Sequence, residues 1–333
     1  MHLSNSLNRH ITVSAFAAVV ALSATFGASA QNEIPADLVD AAKSEGALTV
    51  YTNVDPSLVQ KLGDAFSAAY GVTVDIQRQA SSALAQRFMA ENDTNNTIAD
   101  VYYSTDRAFH DDSYEKNLFT SVEDVPGYAG WPEEAKSPNA LTIGYNPYSL
   151  VWNTDLVPEG LSSWEDLVDP KYEGQVILTD PRSSVTSNQF YKMLHDLYGD
   201  DYLRKLGAHA TYSQSAVPGI QQVAAGAQAI YAPGIHQVVT GLVASGAPLD
   251  ESFPEPSISS NNIASIVTAA PHPNAAKLFL AFLLTNEAQA INNFDGFSPV
   301  DGIPNTRDMP QIVDIDPKEA VSASQKIYEL LGL

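Results

Sequence analysis

The sequence contains no cysteine, few basic residues and only one long apolar run, and each shortage excludes a class of protein. Without cysteine the chain can form no disulfide framework, no thiolate site and no lipid-modified cysteine anchor. Its 17 Lys and Arg residues are outnumbered by 39 Asp and Glu residues, which gives a net charge of −22 at pH 7. Because so acidic a chain repels nucleic acid and anionic membrane surfaces, we expect neither as a partner.

Familiar catalytic signatures are also missing. The chain has no G-x-S-x-G, no H-E-x-x-H, no P-loop and no G-x-G-x-x-G motif. His110 with Asp111 and Asp112 suggests a metal cluster, but its context, FHDDSYEKN, is typical of a polar loop or a helix start. We therefore expect no enzyme activity and no cofactor. A secreted enzyme with an unrecognised site is the remote alternative.

The single long apolar run covers residues 11–26 and predicts where the protein works. Arg9 and His10 precede it, and the small residues Ala-Ser-Ala at 28–30 follow it. This pattern is typical of a secretory signal peptide, here residues 1–30, that is cleaved before folding. The run is too short to favour a membrane-spanning helix, although an uncleaved anchor is the alternative. We expect the mature protein in the periplasm, without stable membrane insertion.

Strand and helix patterns alternate along residues 46–106. Strands are predicted at residues 48–51, at 72–76 and just before Ser104, which indicates an α/β lobe with a mostly parallel sheet. Ligands of such sheets bind beyond the carboxyl ends of the strands. The candidate ligand contacts on this edge are Asn53, Asp55, Ser81, Ser82, Thr105 and Asp106.

Some of these residues also suit a purely structural role. Asp55 directly precedes Pro56 at a predicted helix start, so it is either a helix N-cap or a partner for a ligand ammonium group. Ser81 or Ser82 is expected to cap the next helix. The sequence alone leaves both roles open.

A second series of strands and helices predicts a second lobe. Strands are expected at 149–154, within GQVILTDP at 174–181 and near Tyr231, and helices are expected to begin at Pro218 and Pro233. A last strand at 263–268 precedes a long apolar helix. We divide the chain into lobe 1, residues 31–148 and 263–333, and lobe 2, residues 149–262. Lobes joined by strands rather than by a linker predict a hinge and a cleft.

The segment PRSSVTS, residues 181–187, lies between a strand and a helix that is predicted to end at Gly199. Ser183, Ser184, Thr186 and Ser187 therefore stand at a helix N-terminus. Unpaired backbone N–H groups and the helix dipole favour an anion at such a position. The alternative is that one hydroxyl caps the helix and the others are solvated.

Four segments together resemble a known family. They are VWNTDLVPEGLSSWEDLVDPKYEGQVILTDPRSS, GVTVDIQRQASSALAQRFMAE, IADVYYSTD and HPNAAKLFLAFLLTNEAQAINN. The chain resembles the periplasmic solute-binding proteins of ABC importers, in the cluster that binds ferric ion, thiamine or phosphonates. The phrase W-x-D-L-x-x-P-x-Y-x-G at residues 164–174 is fairly specific to this cluster, although it does not identify the ligand.

The resemblance implies a two-lobed periplasmic-binding fold of type II, with hinge strands between two lobes that close on a ligand. It also implies a monomer that docks on an inner-membrane ABC permease. In the family, the hydroxyl-rich turn after the second-lobe strand binds an anion. We therefore expect a small ligand with a phosphonate, phosphate or carboxylate group. Ser215, Tyr231 and His236 complete the candidate ligand contacts, with the alternatives that Tyr231 fills the core and that His236 is solvated.

Iron is the alternative ligand, with a synergistic anion. Ferric-binding members of the cluster use a His, a Glu and two adjacent tyrosines. The corresponding positions here are Asp55, Thr105 and, within one residue, Ile235 and His236 or His236 and Gln237. The usual ligand set for iron is therefore missing. The hydroxyls and the lone imidazole that remain suit a hard ferric ion poorly.

Overall fold

The computed structural model describes residues 34–333, so the predicted signal peptide lies outside the described residues. These residues form ten α-helices and eleven β-strands. The strands are β1 Ala47–Thr52, β2 Thr73–Arg78, β3 Val101–Ser104, β4 Lys136–Ser137, β5 Ala140–Gly144, β6 Ser149–Asn153, β7 Val176–Thr179, β8 Ala210–Ser213, β9 Ile230–Gly234, β10 Leu249–Ser252 and β11 Asn262–Ile266. The helices are α1 Ala36–Glu45, α2 Pro56–Tyr70, α3 Ser81–Asp93, α4 Arg107–Glu115, α5 Val185–His209, α6 Ala216–Ala224, α7 His236–Ala244, α8 Pro273–Leu283, α9 Asn286–Asn292 and α10 Pro317–Leu331.

Two separate sheets confirm the predicted two-lobed α/β architecture. The first sheet has the order β2-β1-β3-β11-β5-β4, and the second has the order β10-β6-β9-β7-β8. In the first sheet β1, β2 and β3 are parallel, and β5 runs in the same direction because both β3 and β5 pair antiparallel with β11. In the second sheet β7, β8 and β9 are parallel, and β6 pairs antiparallel with both β9 and β10. Each sheet therefore has one edge at which most strands end.

Two crossings join these carboxyl edges to each other. The chain leaves the first sheet at Gly144, the carboxyl end of β5, and enters the second at Ser149, the first residue of β6. It leaves the second sheet at Ser252 and re-enters the first at Asn262. The first crossing has four residues, so its ends lie no more than roughly 18 Å apart. The two carboxyl edges therefore adjoin, as a cleft between the lobes requires.

Local sequence explains several element boundaries. Asp55 accepts hydrogen bonds from the N–H groups of Ser57 and Leu58, and Pro56 is the first residue of α2, as predicted. Gly199 interrupts α5 with a φ of 79°, a conformation that favours glycine, so the predicted end of that helix is a break within a longer segment.

Other predicted boundaries are wrong. Pro233 lies within β9 and begins no helix, while Pro218 is the third residue of α6. The long helix predicted after the last strand consists of α8 and α9, which Thr285 separates by capping α9. Within residues 34–333, no helix is both long and apolar enough to cross a membrane.

The C-terminal helix also departs from the predicted division into lobes. We assigned residues 263–333 to lobe 1, but α10 packs along α5, and its buried residues Ile327 and Leu331 join the core of the second sheet. The side chain of Asn188 on α5 donates a hydrogen bond to the carbonyl of Ala320 on α10. The apolar face of α10 thus packs in the core of the second sheet, whereas α8 packs in the core of the first.

Candidate ligand-binding site

Three predicted residues meet at the carboxyl edge of the first sheet. The side-chain amide of Asn53, which follows β1, donates hydrogen bonds to the hydroxyls of Ser81 (2.7 Å) and Thr105 (3.1 Å). The Asn53 side-chain oxygen accepts the backbone N–H of Thr105 at 3.0 Å. These contacts tie together the segments that follow β1, β2 and β3. All three side chains are partly exposed and can exchange these bonds for bonds to a ligand.

Asp55 and Asp106 lie on the same edge but act as helix caps. Asp106 accepts a hydrogen bond from the N–H of Phe109 at the start of α4, and Asp55 accepts one from the N–H of Leu58 at the start of α2. Burial raises the pKa of Asp55, but hydrogen bonds from the Ser57 hydroxyl and from two backbone N–H groups outweigh it, and the net pKa is lowered. Asp55 is therefore ionised, and its carboxylate occupies the N-terminus of α2, the helix that it caps.

The prediction that Ser81 or Ser82 caps α3 is wrong. The N-cap is Ala80, and no described side chain caps this helix. Ser81 is the first helical residue, and its hydroxyl bonds to Asn53 instead. Ser82 is exposed on the first turn.

At the carboxyl edge of the second sheet, the segment PRSSVTS contains a helix cap. Ser184 is the N-cap of α5, and its hydroxyl accepts the N–H of Ser187 at 3.0 Å. The hydroxyls of Ser183 and Ser184 also lie 3.2 and 2.8 Å from the hydroxyl of Ser187. Thr186 is the second helical residue and is partly buried. The three serine hydroxyls thus form one cluster, of which Ser183 and Ser184 face solvent.

The basic residue of this segment is already paired. Arg182 forms two short contacts with the buried Asp180, at 2.9 Å from Nε and 2.6 Å from Nη2. These hydrogen bonds from Arg182 hold the pKa of Asp180 below its ordinary value. Positive potential for a ligand at this turn therefore comes chiefly from backbone N–H groups and from the helix dipole.

Two more helices begin on the second edge without a cap. Ser215 precedes α6 and Ile235 precedes α7, and neither contributes a cap from its side chain in the part of the chain that the structure describes. The first N–H groups of a helix have no intrahelical acceptor. The second edge thus presents three neighbouring helix starts, of which one is capped by a neutral hydroxyl.

Tyr231 does not reach the edge. Its ring is fully buried beneath α6, where a side chain on Gly219 would collide with it, and its hydroxyl bonds to Thr179 Oγ1 at 2.5 Å. Burial raises the pKa of Tyr231 to about 12 despite the hydrogen bond from Thr179. The residue is a neutral phenol of the core, which corrects its prediction as a ligand contact.

His236 lies where the two lobes meet and is only 4% exposed. Its Nδ1 is 2.5 Å from Glu251 Oε1 on β10, and its Nε2 bonds to the backbone carbonyl of Asp295. The next residue, Gln237, donates to the side chain of Asn146 in the first crossing at 2.6 Å. Both ring nitrogens are occupied, so His236 joins the lobes rather than presenting a free imidazole.

His110 does not form the metal cluster that its neighbours suggest. It is fully buried, with Nε2 3.0 Å from Ser104 Oγ and Nδ1 2.7 Å from Ser265 Oγ. Because the Ser265 hydroxyl donates to the carbonyl of Asn139, His110 Nδ1–H donates to Ser265 and Nε2 accepts from Ser104. Burial, with a smaller contribution from the charge of Arg107, lowers the pKa of His110 to about 3.

Several residues at the meeting edges were not predicted from the sequence. Phe294 and Asp295 follow α9 and reach the second lobe through the bond from His236. Val185, Val217 and Ile235 are exposed apolar residues at the starts of α5, α6 and α7. In the sequence, these three apolar residues could equally belong to the buried face of a helix. Only the strand order shows that they lie at the same edge of the second sheet.

The usual ligands of a protein-bound metal do not come together in the described part of the chain. Between residues 34 and 333, no group of three or more His, Cys, Asp or Glu side chains is arranged to hold a metal ion. The positions that correspond to iron ligands are occupied by the cap Asp55, the hydroxyl of Thr105 and the ring of His236, both of whose nitrogens are hydrogen-bonded.

The structure has two α/β lobes, which are joined by crossings between their carboxyl edges. The sequence profile described as "Bacterial extracellular solute-binding protein" matches residues 48–298, and the chain belongs to this family. The family provides the substrate-binding components of ABC importers, which work with a permease, and is one of binding proteins rather than enzymes. The resemblance noted from the sequence is therefore confirmed.

Curated relatives are distant. An uncharacterized protein of Haemophilus influenzae is 24% identical over 266 residues, which cover 75% of this chain and 76% of that protein. Iron uptake protein A1 of Synechocystis is 28% identical over 162 residues, which cover 48% of this chain and 43% of that protein.

Solved structures share the fold at low identity. Iron-bound HitA from Pseudomonas aeruginosa superimposes with a TM-score of 0.68 at 18% identity, over 86% of this chain and 99% of that one. AfuA from Actinobacillus pleuropneumoniae, with fructose-6-phosphate bound, gives a TM-score of 0.63 at 22% identity, over 86% and 97%. These neighbours support the two-lobed fold and differ in what they bind.

Proposed function

We propose that this protein captures a small ligand with an anionic group between the two carboxyl edges and delivers it to the permease of an ABC importer in the periplasm. One observation carries the proposal: both crossings connect the edges that hold the helix starts, so these edges form the walls of one cleft. Ligands of open α/β sheets bind at such edges.

An anionic group suits the second edge best. The starts of α5, α6 and α7 direct backbone N–H groups and the positive ends of helix dipoles to this edge, and Ser183, Ser184 and Ser215 add hydroxyl donors. The overall charge of −22 opposes an anion at long range. Salt screens that repulsion beyond about 8 Å at physiological ionic strength, whereas donors in contact with the ligand are little affected.

Closure of the lobes is part of the proposal. Asn53, Ser81 and Thr105 on the first edge would bind the polar remainder of a ligand held at the second edge. We expect small-angle scattering to show compaction when a ligand that stabilises the protein is added. Unchanged dimensions at demonstrated saturation would indicate a rigid, preformed pocket instead.

The decisive experiment is a thermal-shift screen of the purified protein with inorganic phosphate, phosphonates, phosphate esters and carboxylates. A ligand at a hundred times its dissociation constant adds about 2.7 kcal/mol to the free energy of unfolding. We expect stabilisation by at least one organic phosphate or phosphonate, with no turnover of the compound. Stabilisation by none of these anions would contradict an anionic ligand.

Ferric iron with a synergistic anion is the second candidate, favoured by the iron uptake relative and by the iron-bound structural neighbour. The residues argue against it, because Tyr231 is a buried neutral phenol and His236 has no free nitrogen. Titration with ferric citrate should therefore produce no phenolate-to-iron visible band. An intense band that disappears on Tyr231→Phe would establish iron as the ligand.

A further inference from the structure

Phe294 is the most exposed large apolar side chain among the described residues, at 69%. It directly follows Asn293 at the end of α9 and precedes Asp295, whose carbonyl accepts the hydrogen bond from His236. An isolated exposed apolar residue needs no explanation on a protein surface. This one stands where the two lobes meet.

The segment that carries Phe294 is firmly held. Asn292 accepts a 2.5 Å hydrogen bond from the hydroxyl of Tyr103, and Asn293 donates to the carbonyl of Ile143 at 3.1 Å. Both asparagines are buried against the carboxyl end of β5, where a side chain on Gly144 would lie 2.3 Å from Asn293 Oδ1. The exposure of Phe294 therefore results from a fixed backbone and not from a loosely attached loop.

The residue after Phe294 is held as well. Asp295 has a φ of 53°, which is uncommon for a residue other than glycine, and Arg307 contacts its carboxylate at 2.9 Å. Its N–H donates to the carbonyl of Asn305 at 2.7 Å. A strained conformation that is supported by several hydrogen bonds is a feature of functional sites.

A second apolar residue stands on the other side of the junction. Ile235 is 36% exposed, and it directly precedes His236, the donor to Asp295. Phe294 and Ile235 are thus chain neighbours of the two residues that join the lobes. They flank the uncapped start of α7, whose N–H groups suit an anion.

We propose that Phe294, with Ile235, forms an apolar platform for the organic part of the ligand, which is therefore an organic anion with an apolar or ring-shaped body rather than an inorganic ion. This inference rests on the proposed function, because it assigns the non-anionic part of the same ligand. Contact between a ring and an aromatic side chain raises affinity without requiring positive charge, which this acidic chain has little of.

The test compares inorganic phosphate, which has no organic body, with methylphosphonate and phenylphosphonate, which share one anionic group and differ in their body. Dissociation constants are measured by calorimetry for the parent protein and for Phe294→Ala. We expect phenylphosphonate to bind the parent about tenfold more tightly than methylphosphonate, and Phe294→Ala to remove most of that difference. Phosphate affinity should change less than twofold.

Leu156→Ala is the matched control. Leu156 is an exposed apolar residue (48%) just after the carboxyl end of β6, and because β6 is antiparallel to β9 it lies at the opposite edge of the second sheet. It should leave all three constants unchanged. Both exposed sites can be truncated without opening the core, and an unchanged thermal midpoint without ligand verifies this.

The outcomes separate the inference from the proposed function. If the anions bind but the phenyl group gives no advantage, or if its advantage survives Phe294→Ala, the platform is refuted and the anionic ligand stands. If Phe294→Ala weakens all three anions equally, Phe294 contacts the closing lobe and not the ligand, which also refutes it. If none of the three anions binds, the site takes neither a phosphate nor a phosphonate group, and both this part of the proposed function and the inference are wrong.

Discussion

The two carboxyl edges differ in how their helix starts are capped. On the first edge, α2 and α4 are capped by the carboxylates Asp55 and Asp106. On the second edge, α5 is capped by the neutral hydroxyl of Ser184, and α6 and α7 receive no cap from a described side chain. A carboxylate cap satisfies the first N–H groups and also neutralises the positive end of the dipole. The residue at the N-cap therefore decides which helix starts remain open to an anion.

The first edge presents polar side chains instead. Its helix α3, which no described side chain caps, places the Ser81 hydroxyl in the network of Asn53 and Thr105. That network contains amide and hydroxyl groups that both donate and accept. It suits hydroxyl, carbonyl or amine groups of a ligand, whereas the second edge suits its anion.

Exchanging the type of cap on the second edge should have the largest effect on binding. Ser184→Asp gives α5 the carboxylate cap that the first edge already has, so stability should stay the same or rise slightly. The new charge would occupy the site of the ligand anion, and we expect affinity to fall at least a hundredfold. Calorimetry with the best ligand of the thermal-shift screen measures this.

Thr285→Asp is the control for that experiment. Thr285 caps α9 through the N–H of Ala288, at the end of α9 opposite to Phe294. The same change of cap should leave binding intact there. Equal affinity of Ser184→Asp and the parent would mean that the α5 turn is only a cap.

The buried His110, which lies beneath the first edge, should make the stability of the protein depend on pH. The neutral ring of His110 bonds to Ser104, which also accepts the N–H of Asp106. The pKa of His110 is about 3 when folded, against 6.5 for an unperturbed histidine, so below pH 6.5 the unfolded chain binds a proton that the folded chain refuses. Stability is therefore lost as pH falls from about 6.5 towards 3, by about 1.4 kcal/mol per pH unit from this residue.

Urea unfolding at pH 7, 6, 5 and 4 checks this expectation. His110→Gln should be less stable than the parent at pH 7, and the gap should narrow as the pH falls. If the free energies of unfolding of the two proteins change with pH by the same amount, folding does not lower the pKa of His110.

The smallest expected effect comes from the cap of the first edge. Asp55→Ala should cost about 1 kcal/mol of unfolding free energy, because α2 loses its N-cap. Asp55→Ser restores a cap and should restore most of the stability. Neither should change ligand affinity more than a few-fold, and a tenfold loss that Ser does not repair would make Asp55 a ligand contact.

Strand and helix periodicities are local, which is why the fold could be predicted well from the sequence. The strands ending at Thr52, Ser104 and Thr179 and the cap at Asp55 are all visible in short windows. Because ligands bind at carboxyl edges, the segments that follow the strands could also be predicted to lie together, and Asn53, Ser81 and Thr105 do so.

The remaining errors arise from long-range packing, which short windows do not contain. Tyr231 and Phe294 are aromatic residues next to polar segments, yet one is fully buried beneath α6 and the other is exposed. His236 was predicted as a cleft residue, but its partners Glu251 and Asp295 are 15 and 59 residues away in sequence. The partner of α10 is likewise α5, which lies more than 100 residues earlier in the sequence.

Because α10 packs on the second sheet, the segment between α9 and α10 is a third connection between the lobes. This connection constrains how the protein can move. The segment after α9 does not cross independently: Phe297 pairs with Tyr145 of the first crossing, and Ile312 pairs with Ser257 of the second. The three connecting segments are thus bridged to one another side by side. We expect a protein linked in this way to open along a single coordinate. Because α1 lies with the first sheet and α10 with the second, a pair of dyes on these two helices would record that coordinate directly.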